Sequence, residues 1–280
     1  MIQFKNRKLF NSVVTNGLLI LICFVMIYPP LYALMTSFKP LGDVITAPPT
    51  FFPSTWTLEG YETVFNSDMF RVYLPNTAFN AFLSALVAMP FAALAGYSFS
   101  RYKFRGSKAL QLAILGLMMI PGITNLLAIY RIGSQLRLLN TNLIIIAWYA
   151  AGGVPYTIWI IKAFFDAIPH EMEEAALMDG CSPLMSLWYI VIPLAMPGLF
   201  ASFLMNFIGF WNEFLAAVVL LSSNEARTAT VGLYDFQSQY EIAYNVLTAA
   251  CIMIMLPVLI IFIIGRKTFF QAMLEGALKG

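Results

Sequence analysis

The chain has 280 residues, of which 60% are apolar and only 11% are charged, with a formal net charge of +2. Soluble domains of this length carry charge on roughly a quarter of their residues. The composition therefore excludes a soluble globular enzyme and gives no reason to expect a nucleic-acid partner.

Charges are clustered and leave six long uncharged runs: Leu9–Phe38, Val72–Ser100, Ala109–Tyr130, Leu138–Ile161, Gly180–Asn212 and Ile242–Gly265. Each is long enough for the roughly 20 residues a helix needs to cross hydrocarbon. The reading is an all-α polytopic membrane protein, a single domain over 1–280. Its six spans lie near 12–37, 73–99, 109–130, 140–162, 198–221 and 244–265. Lys and Arg are unevenly shared between the segments outside the spans. Eleven fall on the set that holds the N-terminus, the Arg101–Lys108 loop, the loop after the fourth span and the C-terminus, against five on the other set. The positive-inside rule then puts both termini in the cytoplasm of a bacterial or archaeal cell. The first run follows Lys5, Arg7 and Lys8, like a signal peptide. It is too long for one, and Tyr28-Pro29-Pro30 is no small-residue cleavage site, so it is expected to stay as a span.

The external loop 39–72 opens with Pro-rich breakers and then Thr57, which can cap a short helix with Leu58, Tyr61, Val64 and Phe65 on its apolar face. That helix either rests on the membrane surface or docks an external partner. Asn80 and Pro90 in the second span, Pro121-Gly122 and Asn125 in the third, and Gly152-Gly153 with Pro155-Tyr156 in the fourth predict kinked spans around a pathway. Short external segments are expected at 131–139 and, longer, at 222–243. In the fifth span, Trp211-Asn212-Glu213-Phe214 places a carboxylate in or near the bilayer. It either faces the bundle interior or sits at the outer interface. No second intramembrane charge is present to form a proton relay with it.

The loop 164–197 carries the chain's most organised polar sequence. Pro169 suits a first helical turn, and Glu171, Glu173 and Glu174 favour the positive end of a helix dipole. Gly180 suits a left-handed stop, and Ser182-Pro183 suits an N-cap followed by a second helix. The result is an acidic two-helix elbow outside the bilayer. His170, the one histidine, has no co-ligand. Cys23, Cys181 and Cys251 have neither metal-ligand spacing nor a place for an external disulfide. No Gly-x-x-x-x-Gly-Lys-Ser/Thr phosphate loop occurs, so any ATP and Mg must sit on another chain, and no cofactor or metal is expected here. With so few ionisable groups in the spans, a stand-alone channel or ion-driven carrier is the weaker alternative.

The elbow resembles the EAA motif of binding-protein-dependent ABC importer permeases. Glu174-Ala175-Ala176 is followed by three residues, Gly180, nine residues, and Ile190-Val191-Ile192-Pro193, with Ile192 where that family usually has Leu. The Phe51–Tyr61 segment, Tyr97-Ser98-Phe99-Ser100-Arg101, Trp211–Phe214 and the tail Gly276–Gly280 resemble the smaller six-span permease of maltose-type carbohydrate importers. The resemblance implies a type I ABC importer permease in the cell (inner) membrane. It also implies a coupling helix at Glu171–Asp179 seated in a cytoplasmic ATPase homodimer or heterodimer. Glu171, Glu174, Ala175, Ala176, Asp179 and Gly180 would form the docking face, and the C-terminal tail would reach the same ATPase. A homologous second permease would complete the pathway, and an extracytoplasmic solute-binding protein would meet the 222–244 loop through Arg227, Asp235 and Gln237. Asn80, Asn125, Tyr156, Trp211 and Glu213 are the pathway candidates, although in such systems the partner permease holds most of the sugar. A sugar, oligosaccharide or glycoside is the expected solute; a polyol, glycerol-phosphate or other non-sugar solute remains open.

Overall fold

A computed structural model describes residues 2–237 and 243–277, with side chains described from Ser12 to Phe270 outside the gap. Among these residues the chain is helical, with no strand. That is what hydrocarbon demands, since a helix satisfies its backbone groups internally. The chain forms two compact units where one domain was expected: 1–68 with 233–255, and 69–232 with 256–280.

The first unit contains α1 (Ile2–Thr36), whose side chains from Ser12 to Leu31 stand exposed. After it, the chain folds on polar anchors. Lys39 is 1% exposed, donates to the Thr50 carbonyl and lies 5.2 Å from the Tyr32 ring centroid. Asp43 accepts from the Ser54 amide at 2.8 Å and its hydroxyl at 2.5 Å, which holds the Asp43 carboxyl below its ordinary range. Thr57 accepts from the Glu59 amide at 3.1 Å, but the N-cap position of α2 (Glu59–Asn66) is Leu58, without a side-chain bond, one residue later than expected. The apolar face differs from the expected one. Gly60 and Val64 are buried, whereas Leu58 and Phe65 are exposed. A Cβ on Gly60 would sit 2.9 Å from the Asn245 carbonyl oxygen, so α2 packs on the start of the last helix.

The second unit is built on α3 (Leu74–Arg101), entered through a π turn at Met69–Tyr73, and α6 (Asn142–Asp166). The α3 stripe Ala81, Ala85, Ala88 and Ala92 is fully buried. A Cβ on Gly96 would come within 3.3 Å of the Lys162 backbone nitrogen. Small residues let membrane helices approach closely. Hydroxyls in this packing are satisfied within their own helices: Ser84 donates to the Asn80 carbonyl, Thr157 to Gly153 and Ser202 to Gly198.

Two of the expected continuous spans are broken. The third is α4 (Ser107–Met118) and α5 (Gly122–Gln135), bent by 89° at Pro121, whose ring forbids continuation. The α5 helix also runs through part of the expected 131–139 loop. The helix over Pro183–Leu194 is followed by α9 (Met196–Trp211), which meets it at 76°. The fifth span then stops at Asn212 and restarts as α10 (Leu215–Leu220). The last helix, α11 (Tyr244–Ala277), extends beyond the expected end at 265 and contributes to both units. Among the described residues, four helices are long and apolar enough to cross a membrane, or up to six spans if each bent pair is one.

A close inter-helix approach to test is Gly198, where a Cβ would lie 2.3 Å from the Phe164 ring. Gly198→Ala should destabilise the second unit by about 1–3 kcal/mol through overpacking. The expected result is a lower thermal midpoint in detergent, with the helical circular dichroism of the folded state unchanged.

Candidate functional site

The elbow consists of α7 (Glu171–Met178) and α8 (Pro183–Leu194), the latter containing a π turn at Leu187–Val191. Pro169 precedes α7 by two residues instead of lying in its first turn, and His170 takes the N-cap position without a side-chain bond. The stop is built as the sequence suggests. Gly180 has φ +90°, its amide donates to Leu177 at 3.1 Å, and the Cys181 amide donates to Ala176 at 3.0 Å. These two bonds and the left-handed glycine form a Schellman C-cap, satisfying carbonyls that α7 would otherwise leave open. Ser182 then accepts from the Met185 amide at 3.3 Å, and Pro183 occupies the first turn of α8. Leu187 and Val191 plug α8 into a core with Ala92, Ala93, Ile161 and Phe165 from α3 and α6.

The two faces of α7 differ sharply. Glu171, Glu174, Ala175, Asp179 and Gly180 are exposed, together with Met172, Leu177 and Met178, the last 88% exposed. Ala176 is buried on the opposite face. Beside it lies the feature the sequence reading missed. Glu173, 6% exposed, forms an ion pair with Arg101 at the end of α3 and accepts from the Tyr97 hydroxyl at 2.7 Å. Arg101 also donates to the Ile168 carbonyl at 3.1 Å and the Ser100 hydroxyl at 3.0 Å. Ser100 donates in turn to Asp166 at 2.6 Å, and Asp166 pairs with Lys162 at 2.6 Å. Glu171, Glu173 and Glu174 in one first turn look alike in sequence. The inward one could be found only from helical phase, since Glu173 lies three residues before the buried Ala176.

The other sequence candidates scatter. Asn80 is fully buried, with neither amide atom partnered. Asn125 is exposed on α5, and Tyr156 is half-buried on α6. Trp211 is 2% exposed and borders an apolar groove of about 610 Å³ with Phe79, Phe82, Phe207 and Pro257. Glu213 is half-buried at the break between α9 and α10. Its carboxylate accepts from the Ala216 and Ala217 amides at 2.8 and 3.1 Å and from the Tyr149 hydroxyl at 2.9 Å. It therefore caps α10, and the ring of Phe210 stacks on Tyr149 beside it.

In the 222–232 stretch the expected loop is a pinned platform. Asn76 donates to the Glu225 and Arg227 carbonyls, Thr77 accepts from the Ala229 amide at 2.7 Å, and Asn140 accepts from the Ser223 amide at 2.8 Å. Arg227 is half-buried in this platform, while Asp235 and Gln237 are exposed in the first unit. Residues 238–242 and the tail 278–280 lie outside the described residues. No cluster of three potential metal ligands occurs among the described residues.

Broken apolar spans around a tightly packed helix pair, with a polar elbow held at one end, define a helical membrane-spanning protein. The chain belongs to the binding-protein-dependent transport system inner membrane component family, which matches residues 88–275. It is 32% identical to the inner membrane ABC transporter permease protein YcjP of Escherichia coli (strain K12), over 94% of each chain. It is 31% identical to the maltodextrin transport system permease protein MdxG of Bacillus subtilis (strain 168), over 98% of each. Among solved structures, a chain of a bacterial ABC transporter involved in import of the acidic polysaccharide alginate matches with a TM-score of 0.79 and 25% identity. That match covers 92% of this chain and 96% of the other.

The two neighbouring glutamates should behave oppositely. Glu173→Gln leaves the buried Arg101 charge without its counter-ion and should cost about 3 kcal/mol or more. Glu174→Gln, on the exposed face, should change stability by about 0.5 kcal/mol at most. Thermal unfolding of the two variants side by side in the same detergent reads the difference.

Proposed function

We propose that this chain is the permease subunit of an ATP-driven, binding-protein-dependent importer for a sugar, oligosaccharide or glycoside. The observation that carries the reading is the elbow. A short helix presents a mixed acidic and apolar face outward while its other face is fastened to the two best-packed spans of the molecule. Ala175 and Gly180 leave that face low enough for close docking, the Met172, Leu177 and Met178 side chains supply apolar contact, and Glu174 offers a carboxylate to a basic partner. The occupant is a separate ATPase dimer, which holds the ATP and Mg that this chain has no phosphate loop to bind. Closure of that dimer would rotate the spans as packed bodies and switch access to the pathway.

The solute class is supported by the relatives, among them a maltodextrin transport permease and a transporter that imports alginate. A homologous second permease completes the pathway. An extracytoplasmic binding protein delivers solute, with Arg227 of the second unit and, separately, the exposed Asp235 and Gln237 of the first as its candidate contacts. Both termini face the cytoplasm by the distribution of basic residues. Asn125 and Tyr156 are the pathway candidates open to a solute in this conformation, whereas Asn80 is sealed, Trp211 is buried at the edge of an apolar groove and Glu213 is engaged in capping.

Liposomes holding this chain with its second permease, ATPase and binding protein should accumulate a radiolabelled malto-oligosaccharide mixture only when ATP is enclosed with the ATPase. Liposomes holding this chain alone should accumulate none. Uptake by the lone chain without ATP would replace the importer by a channel or secondary carrier.

A further inference from the structure

Docking alone does not move a span. The displacement has to leave the elbow through contacts that keep their geometry, and α7 has eight residues, too few to hold a helix in place without tertiary support. Its position is therefore set by what it is tied to. Arg101 is the point where the ties meet. Its guanidinium takes the Glu173 carboxylate of α7, the Ile168 carbonyl in the link between α6 and α7, and the Ser100 hydroxyl that passes on to Asp166 of α6. Tyr97, one turn earlier on α3, holds the second Glu173 oxygen and packs edge-on against Phe165 at 6.1 Å. The side chains of the pair are 5% and 8% exposed, so water does not screen it.

Resting on the importer reading above, we infer that Arg101 is a positioning residue for transport. With Glu173 and Tyr97 it forms the strut that passes elbow displacement into α3 and α6. The alternative is that the pair serves stability alone. The two roles separate because replacing both members of a buried ion pair by apolar residues of similar size is often neutral for stability. Such a replacement keeps the packing and removes the directional bonds. A stability role predicts an unaltered transporter; a strut predicts one that assembles and hydrolyses ATP but no longer responds across the membrane.

The test uses the complete transporter (both permeases and the ATPase) in nanodiscs, with Cys23, Cys181 and Cys251 replaced by Ser and the reporter substitution Asn125→Cys. Maleimide labelling of the reporter is timed with and without MgATP and vanadate, which traps the ATPase closed. With the pair intact, trapping should change the labelling rate about tenfold, within the usual range of coupling between two sites. In Arg101→Met/Glu173→Leu the complex should assemble and hydrolyse ATP while the ratio falls to about one, the value for no coupling. Tyr97→Phe, which removes one of the two Glu173 contacts, should give an intermediate ratio and serves as the comparison if the double variant does not assemble. A parental ratio in either variant that assembles overturns the strut. No response in the parent would instead overturn the importer reading on which the strut rests.

Discussion

The contact between α3 and α6 is the constraint from which the second unit is built. Between helices in lipid there is no water to expel, so association depends on close packing and on hydrogen bonds. Ala81, Ala85, Ala88, Ala92 and Gly96 supply a face with little side-chain bulk, and Gly153 and Gly198 admit Phe210 and Phe164 where a Cβ would collide. Asn206 of α9 donates to Thr157 of α6 at 2.6 Å, a neutral bond that adds direction without burying charge. The broken spans are hung on this base. They can bend sharply because the central pair does not have to.

The polar groups are arranged at the two ends of that base. At one end Glu213, Tyr149, Asn76, Thr77 and Asn140 tie the break after α9 and the 222–232 platform to α3 and α6. At the other, Arg101, Glu173 and Tyr97 tie on the elbow. Each cluster fixes an irregular segment with charge-assisted or multiple bonds, where irregular backbone would otherwise lack partners. The same helices thus connect the elbow face proposed for an ATPase with the platform proposed for an external partner. Movement at one can be felt at the other without unfolding what lies between.

Much of this was legible in the sequence because it depends on local chemistry. Uncharged runs identify helices that can cross a bilayer whatever surrounds them. Gly180, Ser182 and Pro183 specify their stop and start through backbone geometry within four residues, and the structure has both. The EAA spacing picks out the elbow for the same reason. What could not be read depends on partners far along the chain. Pro121 stops a helix where Pro90 and Pro155 are carried inside one, and proline alone does not say which will happen. Glu213 reads as a costly membrane charge until Ala216, Ala217 and Tyr149 are seen around it. Arg101 and Glu173 are 72 residues apart and each sits among other charges, so nothing local marks them as a buried pair.

The central claim is mechanical: a separate ATPase holds the exposed face of α7. It is tested most directly by placing a photo-crosslinking amino acid at Ala175 and irradiating native membranes in which the full set of transporter genes is expressed. The account predicts a covalent adduct whose second component is the ATPase subunit, and loss of that adduct when Glu174 and Met178 are both replaced by Arg. Crosslinks confined to lipid or to this chain itself, with the ATPase present in the same membranes, would contradict it.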